Sequence, residues 1–237
     1  MTFFRELLYP RRCPGCDEIL FQREWSRGFC QSCDGKITRI GDTGCIKCGK
    51  PLQKIQEEFC YDCKRKHHIF QENRGVYVYR GPMKLAMYRL KYSNRRCYAK
   101  TFAREAYEAH GTWMIEKGVE CIVPIPMFPA KMRARGYNQA TVLAKELGKL
   151  TGLPVYDSLV FRIRNSTPQK ELNDLERKNN LKNAFKIRKS DVKLKKILLI
   201  DDIYTTGSTM DEVSRTLRDG GVEQVYCLSI CMGEGRE

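Results

Sequence analysis

Long apolar runs are missing from this 237-residue chain. None approaches the roughly 18 residues that a membrane-spanning helix needs, so no transmembrane segment is expected. The stretch Met1–Arg12 mixes acidic and basic residues into a short apolar run. It lacks the uncharged centre of a secretory signal, and a soluble, cytoplasmic protein is the expectation. Neither GxGxxG nor the lysine of a Walker loop occurs, which argues against those two phosphate-binding fingerprints. No recognition-helix motif appears, so sequence-specific reading of a duplex is not expected. Acidic residues are in short supply: Lys+Arg 43 stand against Asp+Glu 28, a net charge of +15. A surplus of that size favours polyanionic partners such as nucleic acid, phosphorylated ligands or anionic lipid.

What is abundant is cysteine, 12 in all. Eight form four CxxC pairs: Cys13/Cys16, Cys30/Cys33, Cys45/Cys48 and Cys60/Cys63. The spacers Asp17–Phe29, Asp34–Gly44 and Gly49–Phe59 are of zinc-ribbon length. Each CxxC makes a tight knuckle that aims two thiolates at one ion, so eight ligands imply two structural Zn²⁺. Disulfides would need an oxidising compartment, which nothing here suggests. A redox motif would show one CxxC beside a βαβ unit, not four in a row. Sequential pairing, first four and last four, is the preferred arrangement; a cross-braced one is the alternative. His67 and His68 are potential substitute ligands, but with the Cys set complete they are expected to be solvated. Cys97, Cys121, Cys227 and Cys231 read as core thiols.

The basic run Lys64–His68 marks a boundary, giving a ribbon domain at 1–68 and a second domain at 69–237. In the second, strands are expected at Gly75–Tyr79, Glu120–Pro124, Pro154–Arg162, Ile197–Ile200 and Gln224–Cys231. Helices are expected at Pro82–Tyr92, Tyr98–Glu116, Asn138–Leu150 and Thr209–Asp219. Pro82 suits a first helical turn and Asn138 an N-cap. Strands alternating with helices imply an α/β fold, a mostly parallel sheet covered on both faces. Arg164–Lys182 reads as a long polar loop, a candidate flap over a site.

The most informative segment is Lys196–Thr209. An apolar strand stops at Asp201-Asp202, a loop Thr205-Thr206-Gly207-Ser208-Thr209 follows, and a helix begins. Amides at a helix N-terminus are unpaired and carry part of the positive dipole. Gly207 allows close approach to an anion. The loop is therefore expected to hold a monophosphate, with Asp201 and Asp202 taking ribose hydroxyls and a Mg²⁺ bridging hydroxyls and pyrophosphate. Lys131, Arg133, Arg135 and Gly136 follow a strand end, as a pyrophosphate-binding loop would; a solvated basic turn is the alternative.

The Asp-Asp-x-x-Thr-Thr-Gly-x-Thr segment resembles the phosphoribosyl pyrophosphate motif of type I phosphoribosyltransferases. Val123-Pro124-Ile125-Pro126, Arg133-Ala134-Arg135-Gly136-Tyr137-Asn138-Gln139, and Thr167-Pro168-Gln169 with Leu172, Glu176-Arg177, Asn180 and Ala184-Phe185 resemble one branch of them, the ComF (ComFC/GntX-like) competence proteins. Cysteine ribbons ahead of a phosphoribosyltransferase-like domain are also that family's layout. The resemblance implies a role in natural transformation: handling single-stranded DNA in the cytoplasm beside a ComFA-like helicase/ATPase. It leaves catalysis of phosphoribosyl transfer open.

Cations and rings interleave over Tyr88–Tyr98, the mixture that single-stranded DNA wants. Arg89, Lys91, Tyr92, Arg95 and Arg96 are the candidates; an amphipathic helix with core tyrosines is the alternative. Lys182–Lys196 is a second basic stretch. Three functions stay open: a DNA-uptake protein with a phosphoribosyl pyrophosphate-type ligand, an active phosphoribosyltransferase on an unknown base, and a zinc-ribbon adaptor with a vestigial pocket.

Overall fold

A computed structural model describes residues 10–52, 54, 56–164, 181, 183–188 and 194–233. In chain order the short helices α1 (Gln31–Asp34) and α2 (Tyr61–Arg65) belong to the cysteine-rich part. Then come β1 (Asn73–Val78), α3 (Pro82–Tyr92), α4 (Tyr98–Lys117), β2 (Cys121–Pro124), α5 (Pro129–Arg135) and α6 (Gln139–Thr151). The chain ends with β3 (Val160–Arg162), β4 (Phe185–Ile187), β5 (Lys196–Tyr204), α7 (Ser208–Asp219) and β6 (Gln224–Met232).

Four strands make a sheet in the order β1-β6-β5-β2, with every pairing parallel. β3 and β4 pair antiparallel as a separate two-stranded unit. The central strands read as near-continuous apolar runs because both sheet faces are covered. Alternation along β5 divides them: Leu198 and Ile200 enter one core with α3, α4 and α6. Ile197 and Leu199 enter the other, with Met210, Val213 and Leu217 of α7 and with Phe185 of β4.

Local chemistry sets the helices. α3 follows Gly81, at φ +50, and opens on Pro82. It buries Met83, Ala86, Met87 and Leu90, one stripe at helical spacing. The Asn138 side chain accepts from the Ala140 amide at 3.0 Å and donates to the Ile125 carbonyl at 2.8 Å, tying the start of α6 to the end of β2.

Among the described residues the ribbon part has no core of its own; its buried apolar residues join the two cores of the sheet. Cys13, Leu20, Phe29 and Cys33 pack in the first, Ile40, Cys45, Cys48 and Cys60 in the second. Backbone bonds from Ile40 N to Val76 O and from Val78 N to Thr38 O lay the ribbon chain along the edge strand β1. An otherwise open sheet edge is thereby covered.

The structure departs from the sequence expectations in places. The expected strand 154–162 shrinks to β3 and a single bridge at Val155. β5 does not stop at the carboxylates but runs on through Tyr204. The basic stretch after β2 is a helix, α5, opened by Pro129 and closed by Gly136 at φ +80, rather than a loop. The 182–196 stretch contains β4. Of Arg164–Lys182 only residues 164 and 181 are described, so the flap and most of its family motif lie outside the described residues. Cys121, Cys227 and Cys231 are buried, whereas Cys97 is exposed. Among the described residues no helix is long and apolar enough to cross a membrane.

Candidate anion-binding cleft and two tetrathiolate sites

A cleft of about 250 Å³ opens at the carboxyl end of β5. Its floor is Asp201 and Thr205 to Thr209, and Lys91, Tyr92, Lys131, Arg135, Gln139 and Arg162 stand around it. The carboxyl edge of a parallel sheet is where open α/β folds bind ligands. Gly207 is the N-cap of α7 at φ +76, so the first amides of that helix point outward without intrahelical partners. The Thr206 and Ser208 hydroxyls lie 3.0 Å apart at its mouth.

The side-chain period of two in a strand sends the two carboxylates to opposite faces. Asp201 shares the face of Leu199 and reaches the cleft; Asp202 shares the face of Ile200 and is buried. Lys91 of α3 meets Asp202 at 2.7 Å. Burial works to raise the Asp202 carboxyl, but the Lys91 charge and hydrogen bond hold it below the usual value. Asp201 accepts from the Asp202 amide at 2.9 Å. Burial first, and then the charge of Asp202, push it well above the ordinary carboxylate range. The pair is thus not equivalent: Asp202 is the anchor of Lys91, and Asp201 is the cleft-facing group, its carboxyl held above the ordinary range.

Opposite stand three cations. Lys131 and Arg135 lie four residues apart on α5 and so share a face. Arg162 comes from β3, its Nε donating to the Arg164 carbonyl and its guanidinium 5.4 Å from the centre of the Phe185 ring. Burial, then Arg162 and Arg135, lower the Lys131 ammonium. Burial likewise lowers Arg162, with Asp201 working the other way. Like charges gathered on one side of a cleft favour an anionic occupant. Arg133 is exposed, is not among the residues lining the cleft, and sits on another face of α5. Gly136 caps that helix instead of lining the cleft.

The eight CxxC sulfurs gather as Cys13, Cys16, Cys30, Cys33 and as Cys45, Cys48, Cys60, Cys63, each set within 4.8 Å. A tetrahedral Zn²⁺ with bonds of about 2.3 Å spaces its sulfurs roughly 3.8 Å apart. Cys16 and Cys30 are 3.6 Å apart, and Cys48 and Cys60 are 3.5 Å apart. Both sets fit a structural zinc, in the sequential pairing, and both are far from the roughly 2.05 Å of a disulfide.

With cleft and ribbons in place, comparison with known proteins is decisive. A double zinc ribbon domain model matches residues 4–64, and a phosphoribosyl transferase domain model matches residues 133–237. Competence protein F of Haemophilus influenzae is 31% identical over 84% of this chain and 87% of its own length. The chain belongs to the ComF family of competence proteins. DNA utilization protein YhgH of Escherichia coli is 30% identical over 94% of this chain and 98% of its own. Competence protein ComFC of Streptococcus pneumoniae is 30% identical over 90% and 91%. A Helicobacter pylori xanthine-guanine-hypoxanthine phosphoribosyltransferase aligns structurally over 58% of this chain and 85% of its own, at 20% identity and a TM-score of 0.35, a likeness that the assignment does not need. This ComF protein is therefore a competence-related, phosphoribosyltransferase-like protein with an N-terminal double zinc ribbon.

The Tyr88–Tyr98 candidates do not form one cationic strip in it. Arg89 donates to the carbonyls of Pro14, Gly15 and Cys16, gripping the first knuckle at 3.2, 2.5 and 3.3 Å. Arg95 pairs with Asp17 at 2.6 Å. Arg96 bonds Asn94 and lies over the Tyr137 ring. Lys91 is the Asp202 anchor. Tyr92 is 64% exposed, next to Tyr88 and under the Arg135 guanidinium, at the rim of the cleft. Sequence reasoning missed Arg162, Gln139 and Lys91 as cleft residues. For Gln139 the signal was present, since it closes the Arg-Gly-Tyr-Asn-Gln block; Arg162 arrives through a long-range strand pairing that no local pattern marks. His68, expected to be solvated, is buried behind the anion loop.

Proposed function

We propose that this ComF protein binds the 5'-phosphate and ribose of phosphoribosyl pyrophosphate, or a closely related ligand, in the β5–α7 cleft, and handles single-stranded DNA during uptake beside a ComFA-like helicase. The observation that carries the ligand reading is the juxtaposition of helix-start amides, a cleft-facing carboxyl at Asp201, and the cations Lys131, Arg135 and Arg162 around about 250 Å³. The amides and the Thr206 and Ser208 hydroxyls take the monophosphate. Asp201 takes a ribose hydroxyl, and Lys131, Arg135 and Arg162 take the pyrophosphate. Asp202, already tied to Lys91, acts through Asp201 rather than on the ligand. Asp201, the carboxyl that lines the cleft, would hold a Mg²⁺, which would supply charge to the pyrophosphate end. The relatives named for competence and DNA utilization support the DNA reading, as does the net charge of +15.

Calorimetric titration with phosphoribosyl pyrophosphate, with and without Mg²⁺, tests the cleft. Micromolar or tighter binding that Mg²⁺ strengthens is expected; no heat at millimolar ligand refutes it. Oligonucleotide binding that weakens steeply with salt tests the second part. A second reading, transfer of the phosphoribosyl group to a base, is favoured by Asp201 facing the position of a developing ribosyl cation with cations behind the leaving pyrophosphate. Pyrophosphate release with one of a panel of bases would establish it.

A further inference from the structure

An anion loop must be held from behind if its amides are to stay aimed at the ligand. Here the support comes from the ribbon side of the chain. The Asp211 carboxylate, on the first turn of α7, accepts from the Ile69 amide at 2.9 Å and meets His68 Nδ1 at 2.9 Å and Lys66 Nζ at 3.4 Å. Lys66 also donates to the Thr206 carbonyl, in the middle of the loop, at 3.0 Å. On the other side of the ring, His68 Nε2 lies 3.4 Å from the Tyr204 hydroxyl. Phe70 stacks on the ring at 4.7 Å.

The same ring fills the space that a side chain at Gly207 would need. A Cβ there would stand 2.9 Å from His68 Cε1 and 2.4 Å from the Tyr204 hydroxyl. The loop therefore rests on His68 and Tyr204 with no slack. Residues 66 to 69 leave directly from α2, which carries Cys60 at its N-cap and Cys63 within it, and the Lys66 amide bonds Asp62 O at 2.9 Å. The position of the strap is set by the second tetrathiolate site.

We propose that Lys66 and His68 are positioning residues for the anion loop, so that the second ribbon sets the shape of the phosphate site without touching the ligand. This rests on the cleft reading above. Lys66 is partly exposed and its replacement leaves the core intact, which makes Lys66→Met the primary variant. His68→Ala removes the ring, and His68→Asn keeps a donor toward Asp211. Affinity for phosphoribosyl pyrophosphate is measured by calorimetry, zinc content by elemental analysis, and exchange of the 205–209 amides by hydrogen–deuterium exchange.

Lys66→Met and His68→Ala are expected to weaken binding about tenfold and to speed exchange of the loop amides, with both zinc ions retained. His68→Asn should recover most of the affinity. A purely structural role would lower the melting temperature but leave affinity unchanged wherever the protein is folded. Lys66→Met binding as tightly as wild type, with unchanged loop exchange, overturns the proposal even if His68→Ala fails to fold. Should the wild-type protein take no phosphoribosyl pyrophosphate, the cleft reading fails and the positioning role falls with it.

Discussion

Replacing Gly207 by Ala should damage the fold and the site together, through two separable costs. Its φ of +76 lies in the left-handed region, which costs an L-residue about 1–2 kcal/mol. The new Cβ would lie 2.4 Å from the Tyr204 hydroxyl and 2.9 Å from both Tyr204 Cζ and His68 Cε1. Tyr204 is 3% exposed, so it has nowhere to go, and overpacking of this kind costs about 1–3 kcal/mol. The sum, about 3 kcal/mol, corresponds to a fall of roughly 6–12 °C in melting temperature for a chain of this size. If the protein relaxes by letting the loop retreat, phosphoribosyl pyrophosphate affinity should fall at least tenfold. Adding Tyr204→Phe removes the closest clash and not the backbone strain, so the double variant should regain only part of the stability. A Gly207→Ala protein that melts within a degree of wild type and binds equally well would refute the close packing behind the loop.

Asp201→Asn should stabilise the ligand-free protein while abolishing ligand binding. A carboxyl whose folded pKa is raised costs stability as pH climbs past its unfolded value near 3.9. The melting advantage of the variant should therefore vanish below about pH 4 and grow to roughly 2–4 °C at neutral pH; an advantage independent of pH would contradict the raised Asp201 carboxyl. Lys131→Ala and Arg135→Ala should each weaken phosphoribosyl pyrophosphate binding roughly ten- to hundredfold by calorimetry, the effect of about 1.5–3 kcal/mol per charge-assisted bond. Arg133→Ala, on another face of α5, should cost threefold at most. Arg89→Ala should lower stability by about 1–2 kcal/mol. It should also speed release of one of two zinc equivalents to a chelator, followed by a colorimetric zinc reagent, because Arg89 grips the first knuckle through three carbonyls.

Most of the frame was legible because its signals are local. The CxxC spacing located both tetrathiolate sites. The Pro82 and Asn138 signals placed α3 and α6 to within a residue, and the apolar run 197–200 marked the central strand. What escaped was set by distant partners. The residues Asp201 and Asp202 read as one acidic doublet, yet β5 extends past them, and a side-chain period of two then hands one to the cleft and the other to Lys91. The Tyr88–Tyr98 stretch carried the right composition for nucleic acid, but Arg89 and Arg95 are spent on the first ribbon. Helix α5 gives no periodic signal because seven residues are too few for one, although Pro129 and Gly136 bracket it with ordinary start and stop residues.

The ribbons matter to the cleft because they are not a detached appendage. A segment this rich in Cys and Gly cannot build a core alone, and metal supplies the folding free energy that burial does not. Once folded, the two sites are used on opposite faces of one sheet. The first is gripped by Arg89 of α3, and two residues further along the same helix Lys91 holds Asp202. The second leads through α2 to Lys66 and His68 behind Thr206 and Gly207. Both halves of the acid-and-amide motif, the carboxylate pair and the anion loop, are thus braced by elements that the cysteine sites hold in place. A ligand bound there as proposed would meet a geometry that the metal-stapled segment has already fixed.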